Sequence, residues 1–322
     1  MSILLTGASG FIGKQLIQSP LVSKLVVRDR SFHVENKSVF FLDGLSENTN
    51  WQAAFSDCDV KRIIHLGGLA HSNFFSQEEY QSVNVDATLH LANEAVKAGV
   101  KRFVFVSSIG VNGASTINKP YAFNSNPNPH NHYTRSKYDA EVGLLNIAHE
   151  TGLEVVIIRP TLVYGPNAPG NFGALINLVK NSPFLPFGLS TNKRDFIAVQ
   201  NLADLLVTCA THPNAAGHTF LASDMETVSI KQFTNAIADG LGKKVLQLPI
   251  PISLMRLVGK LMGKSTIIEQ LYGNLQVDSS NLKEVLDWTP PYTMQQAMAI
   301  LGDPVRSVNS TSSANSVHSG KE

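Results

Sequence analysis

The sequence predicts an α/β protein: a doubly wound parallel sheet followed by a smaller C-terminal α/β lobe. Three observations carry this. Residues 3–6, 24–27, 38–42, 62–66, 102–107 and 154–159 are short apolar runs with few alternating polar positions. Strands buried on both faces have that pattern. Helical patterns lie between them, clearest over 83–98 and 132–150, and alternating β and α selects a parallel sheet. Gly7, Gly10 and Gly13 follow the first run at once and open a helix. In this context Gly7 permits a tight turn, Gly10 lets backbone approach a pyrophosphate, and Gly13 lets the helix pack closely on the sheet.

Composition bounds the rest. The 322 residues are 43% hydrophobic and 16% charged, with a formal net charge of +1. This is a globular balance that gives no reason to expect nucleic acid or an anionic membrane as partner. Cys58 and Cys209 are the only cysteines. They exclude a disulfide framework and a cysteine-rich metal site, so no metal is expected and the expected compartment is the cytoplasm. The chain opens on a strand rather than on a basic region with a long apolar run, so no signal peptide is read. No apolar stretch approaches the ~20 residues that span a bilayer, and no membrane insertion is expected. The expected division is a dinucleotide-binding domain over 1–165, a substrate lobe over 166–301 with segments returning to the core, and a disordered Ser-rich tail over 302–322.

Candidate ligand groups sit at the carboxyl ends of the strands. The second strand ends in Arg28-Asp29-Arg30. An acid there holds ribose hydroxyls and favours NAD, whereas an arginine takes a 2′-phosphate and favours NADP. The cofactor therefore reads as NAD or NADP. Asp43, ending the third strand, is placed to contact adenine. His65 lies in an apolar strand, where a structural role outweighs a catalytic one. Ser107 and Ser108 end the fifth strand. Tyr133 and Lys137 stand four apart on one helical face. An ammonium near a phenol lowers the tyrosine pKa from about 10. Such a tyrosine can exchange a proton with a carbonyl or carbinol oxygen while hydride moves. Residues 249–263 carry Leu254, Leu257, Val258 and Leu261 on one helical face, read as packed on the core in preference to a membrane surface.

In order, these motifs resemble the extended short-chain dehydrogenase/reductases of the NAD-dependent epimerase/dehydratase family, over roughly residues 1 to 300. Thr6-Gly-Ala-Ser-Gly-Phe-Ile-Gly13 is similar to the family's Rossmann cofactor motif, which adds Phe11 and Ile12 to the cofactor-binding set. Ser107-Ser-Ile-Gly-Val-Asn-Gly113 resembles its serine segment and implies Ser108 as catalytic, beside Tyr133 and Lys137. Asn84 matches a cofactor-contacting asparagine. The resemblance also implies Asn171, Phe187 and Arg194 as substrate contacts. Arg194 suits a nucleotide phosphate because a guanidinium binds it bidentately. Gln270 stands where some relatives place a second arginine. A homodimer through the helix carrying Tyr133 is implied as well.

Within the family, the segments resemble UDP-4-keto-6-deoxy-N-acetylglucosamine 4-reductases, which make UDP-N-acetylquinovosamine for surface polysaccharide such as O-antigen. They also resemble proteins described as UDP-glucose 4-epimerases. Asn112, where epimerases usually carry tyrosine, leans the reading to a 4-ketoreductase, with the 4-epimerase as alternative. Gly110, Thr134 and His132 depart from the subgroup's commonest residues. Ile109-Gly110 stands where dehydratases carry an Asp-Glu pair, which argues against 4,6-dehydration. A non-catalytic binding module is the remaining alternative, against which the presence of both Tyr133 and Lys137 counts.

Overall fold

The computed structural model describes residues 2–56, 60–70 and 75–302. Cys58 and the tail from 303 lie outside the described residues. The first half supplies β1 (Ser2–Thr6), β2 (Val22–Val27), β3 (Ser38–Phe41), β4 (Val60–His65), β5 (Arg102–Val106) and β6 (Glu154–Pro160). The second half adds β7 (Leu162–Tyr164), β8 (Phe184–Leu185), β9 (Arg194–Ala198), β10 (Thr219–Ala222), β11 (Thr227–Val228) and β12 (Leu246–Gln247). The main sheet runs β10-β6-β5-β4-β1-β2-β3, with every neighbour pair parallel. Each apolar run of the first half forms a strand of this sheet, and β5 is buried at every position. Chain order reverses between β1 and β4, and a ligand crevice is expected outside the carboxyl ends there.

Helices cover both faces and separate two cores. One face buries Ile3, Leu5, Leu25, Ile64, Val104 and Ile158 against Leu202, Leu205 and Leu206. These leucines belong to the helix Val199–Thr211. The other buries Leu4, Ile63, Phe103 and Phe105 against Leu91, Ala140 and Leu144. Alternate residues of one strand thus feed opposite cores, as the period of two demands. The helix His132–Thr151 starts on an Asn131–Thr134 capping box and ends on Gly152 at φ 75°. Both devices satisfy orphan backbone groups at the helix ends. Before the helix Ala87–Lys97 the chain makes a π-helical stretch, Gln81–Asp86.

A third core, in the second half of the chain, gathers Tyr164, Phe172, Phe196, Phe233, Ile237 and Met298. Phe196 and Phe233 stack 3.8 Å apart with an interplanar angle of 5°. Strand β10 leaves this half to join the main sheet beside β6.

The apolar face of residues 249–263 corrects the sequence expectation. The helix Ile252–Leu261 turns Ile252, Met255 and the buried Gly259 toward the lobe. Leu254, Leu257, Val258 and Leu261 stay 47%, 54%, 40% and 79% exposed. Helical spacing says which residues share a face; it does not say whether that face meets the core.

Candidate active site

The glycine turn is built as its spacing requires. Gly7 has φ +69°, a conformation that side chains resist. A Cβ on Gly13 would stand 2.3 Å from the Gly7 carbonyl oxygen and 2.6 Å from that of Ala8. Only glycine lets the helix Phe11–Leu16 lie this close to the turn. Gly7 in turn abuts the loop after β4, where its Cβ would meet the Gly67 nitrogen at 3.0 Å. The two loops at the switch point are held together by Thr6, whose hydroxyl accepts from the Gly67 N–H at 3.0 Å. The same hydroxyl bonds His65 Nδ1 at 2.7 Å, and His65 Nε2 meets Thr88 at 3.0 Å. His65 is structural: burial first, then the Lys137 charge, draw it down to about 3, so it is neutral at working pH.

A cleft of about 610 Å³ opens from this turn. Ile12, Gly68, Ser108, Tyr133 and Lys137 line it, together with Asn171, Arg194 and Gln270. Ser108 ends β5 with extended backbone, and its hydroxyl accepts from the Gly110 N–H at 3.1 Å. Tyr133 lies in the first turn of its helix and hydrogen-bonds Ser108. The Tyr80 ring packs against it at 6.0 Å. Lys137, one turn on, donates to the Val106 carbonyl at 3.0 Å and lies 4.7 Å from the Phe105 ring centroid. The three residues expected to be catalytic are therefore brought together.

Their electrostatics depart from the sequence expectation. Burial pushes the Tyr133 phenol up to about 12, and the Ser108 hydrogen bond only partly opposes it. Burial also draws the Lys137 ammonium down to about 8, while the Glu141 carboxylate holds it up. Desolvation of the phenol outweighs the help expected from Lys137, because the ammonium is directed at a backbone carbonyl.

Beneath these residues lies a charged network that sequence reasoning missed. Glu141 accepts from Arg159 Nε at 3.0 Å and Nη2 at 2.5 Å, and from the Ser107 hydroxyl. Arg159 also donates to Asn112 Oδ1 at 3.1 Å. All four are buried. The available signals were an acid four residues beyond Lys137 and an arginine inside an apolar strand. Asn112 faces this network, not the cleft, so its difference from tyrosine does not by itself discriminate between reactions.

Other expected contacts fall as follows. Asn84 is buried and holds the loop after β4: its Oδ1 accepts from the Leu69 N–H at 2.7 Å, and its Nδ2 donates to Ser136 Oγ at 3.0 Å. Its side chain supports the cleft wall formed by Gly68. Asp29 accepts from the Ser31 N–H and hydroxyl at 2.9 and 2.6 Å, which lowers its carboxyl pKa. Arg30 pairs with Asp43 at 3.0 Å, and Arg28 is exposed. Arg194 donates to the Gly273 carbonyl at 3.0 Å. Its neighbour Asp195 is occupied by Thr227 and the Val277 N–H at 2.6 and 2.7 Å, so it leaves the guanidinium to the cleft. Asn171 approaches Gln270 at 3.5 Å. Phe187 is a correction. It is 1% exposed, packs on Tyr272 at 5.7 Å, and belongs to the lobe core instead of the cleft lining.

Sheet order, reversal point and glycine turn make this a Rossmann-type dinucleotide-binding protein. The family model "NAD dependent epimerase/dehydratase family" matches residues 3–222, and the chain belongs to that family. It is 41% identical over 305 residues to a UDP-glucose 4-epimerase of Vibrio cholerae, covering 92% of each chain. In structure it is similar to a UDP-glucose 4-epimerase of Thermotoga maritima (TM-score 0.75, 21% identity, 96% and 99% of the two chains). A second neighbour is a UDP-glucuronic acid 4-epimerase of Bacillus cereus in complex with NAD (TM-score 0.74, 19% identity, 98% and 99%). The chain is thus an enzyme of an NAD-dependent family. The glycine cradle, which a Cβ at Gly7 or Gly13 would fill, fits such a dinucleotide.

Proposed function

We propose that this protein moves hydride to or from C4 of a UDP-sugar, with Ser108, Tyr133 and Lys137 as its catalytic residues. The observation that carries the reading is their convergence, with Arg194, on one cleft beside the glycine turn. Residues 1–165 hold the dinucleotide in this reading and 166–301 the UDP-sugar, with Gly7, Gly10, Phe11, Ile12 and Gly13 at the pyrophosphate side. The bound dinucleotide supplies or accepts the hydride. Ser108 holds the C4 oxygen by a hydrogen bond, and Tyr133 donates a proton to it during reduction. Lys137 keeps positive charge beside the phenol, which favours the phenolate left after transfer. Arg194 takes a phosphate of the UDP group. Asp29 supports NAD over NADP, since Arg30 is turned onto Asp43.

The finer reading is a 4-ketoreductase that acts on a UDP-4-keto-6-deoxy-N-acetylhexosamine and serves surface polysaccharide synthesis. Support comes from the sequence: the Ser107–Gly113 segment, Gly-Asn-Phe at 170–172 and Leu-Pro-Phe-Gly at 185–188 resemble those of such reductases. The Vibrio cholerae relative favours a second reading, a UDP-hexose 4-epimerase that keeps its NAD. Nicotinamide absorbance decides between them. Stoichiometric NADH oxidation with the 4-keto substrate supports the reductase. Interconversion of UDP-hexoses without added cofactor, with NAD released on denaturation, overturns it in favour of the epimerase. A fully active Tyr133→Phe protein overturns both.

A further inference from the structure

The helix Ile252–Leu261 and the following helix Ser265–Tyr272 form a hairpin at the edge of the lobe, closed where Gly259 packs on Ile268. We propose that this hairpin is a docking surface for an anionic lipid membrane. The inference stands apart from the choice of substrate and reaction.

Two independent observations meet here. Leu254, Leu257, Val258 and Leu261, spaced i, i+3, i+4 and i+7, present a row of exposed apolar side chains, and Met262 extends it at 60% exposure. The inner face of the same helix is already packed through Ile252 and Met255, so rotation cannot bury the outer row. Second, between Asp239 and Glu269 the chain has no acidic residue, while Lys243, Lys244, Arg256, Lys260 and Lys264 are basic. Glu269 is itself bound bidentately by Arg256, at 2.8 and 3.1 Å. With Arg256 and Glu269 compensating each other, Lys260 and Lys264 leave net positive charge beside the exposed leucines. Apolar residues flanked by Lys and Arg suit the interface of an anionic bilayer, where leucines enter the headgroup boundary and ammonium groups meet lipid phosphates. A second copy of the chain suits it less. A two-fold contact would bring two like-charged patches into one interface. The helix lies in the interface plane and does not cross it: among the described residues no helix is long and apolar enough to span a membrane. Ile267 of the second helix lines the cleft, so docking would bring the cleft mouth to the lipid surface.

The test is co-sedimentation of the full chain with vesicles of phosphatidylcholine alone and of phosphatidylcholine mixed with phosphatidylglycerol. Binding is expected only to the mixed vesicles and should weaken with salt. The pair Lys260→Gln and Lys264→Gln should lower partitioning by about 30-fold, taking about fivefold for each lysine near an anionic surface. The pair Leu257→Gln and Leu261→Gln should lower it by about tenfold or more. None of these four residues lines the cleft, so turnover of a dissolved UDP-sugar should be unchanged in both variants. Turnover and sedimentation are read separately, so vesicle binding without turnover defeats only the functional reading. Absent or equal binding to both vesicle types overturns the docking proposal, as do variants that bind like the parent. A leucine pair that dissociates a dimer without any vesicle binding assigns the face to a second copy instead.

Discussion

Gly110 and Thr134 fit each other: a Cβ on Gly110 would stand 2.4 Å from the Thr134 Cγ2 methyl. Thr134 is the third residue of the helix that carries Tyr133, and its hydroxyl accepts from the Asn131 N–H at 3.2 Å. Gly110 sits one residue past Ile109, just beyond Ser108. The contact therefore sets the distance between the serine segment and the start of the tyrosine helix. Gly110→Ala should lower the rate by about tenfold or more and cost about 1–3 kcal/mol of stability by overpacking. Adding Thr134→Ser, which removes the methyl and keeps the capping hydroxyl, should restore most of both. Thermal melting and initial rates of the two single variants and the double check this, and simple additivity would refute it.

The pH dependence of reduction should follow Lys137. The Tyr133 phenol at about 12 keeps its proton through neutral pH, so its protonation does not limit the rate there. The ammonium at about 8 loses its charge above that value, and with it the support for the departing proton. The rate of ketone reduction should hold through neutral pH and fall above about 8. Lys137→Arg, whose guanidinium stays protonated, should move the fall upward even where its absolute rate is lower. A profile unchanged by that substitution would separate Lys137 from the titration.

Arg194 should act on binding more than on turnover. It lines the same cleft as Ser108 and Tyr133, and its guanidinium donates to the Gly273 carbonyl. A charged hydrogen bond contributes about 1.5–3 kcal/mol, so Arg194→Ala should raise KM for a UDP-sugar about 10- to 100-fold. The value of kcat should change little. A lowered kcat with unchanged KM would place the arginine at the reacting centre.

The glycine turn, the strand set and the Tyr133/Lys137 pair were legible in the sequence because each is encoded within a few residues. What was not legible depends on surroundings that spacing does not record. The pull of Lys137 on Tyr133 was read from their separation of four, but desolvation decides the sign. The Leu254–Leu261 face was correctly placed on one side of a helix and wrongly placed against the core. The family resemblance implies Phe187 as a substrate contact, yet folding pairs it with Tyr272, far along the sequence. The Glu141–Arg159 pair joins a helix to a strand 18 residues on, and neither residue announces the other locally.

That pair carries its own prediction. Glu141 and Arg159 side chains are 2% and 7% exposed, and together they tie the tyrosine helix to β6. Removing one partner of a buried ion pair strands the other charge, at a cost of about 3–5 kcal/mol. Arg159→Met should show a loss of this size in urea unfolding. Combining it with Glu141→Leu should recover part of the stability, since the stranded carboxylate is then gone. A double variant that loses the sum of the two single effects would mean that the pair is not a coupled unit.

Acid stability should report on His65. Its imidazole is drawn from its ordinary 6.5 down to about 3 by burial and by the Lys137 charge. Between those values the unfolded chain binds a proton that the folded chain excludes. His65 therefore costs no stability above about 6.5 and destabilises the fold progressively as pH falls toward 3. The slope is about 1.4 kcal/mol for each pH unit in that window. His65→Gln retains an amide able to bond Thr6 or Thr88 and cannot titrate. The parent should be the more stable protein at neutral pH, where its two threonine bonds are intact. The difference should narrow on acidification, with the slope of parent minus variant near that value. Denaturant unfolding across the window measures it. Parallel pH curves for the two proteins would mean that the imidazole already carries its proton in the fold, and that the Thr6–His65–Thr88 bonds are arranged around a charged ring.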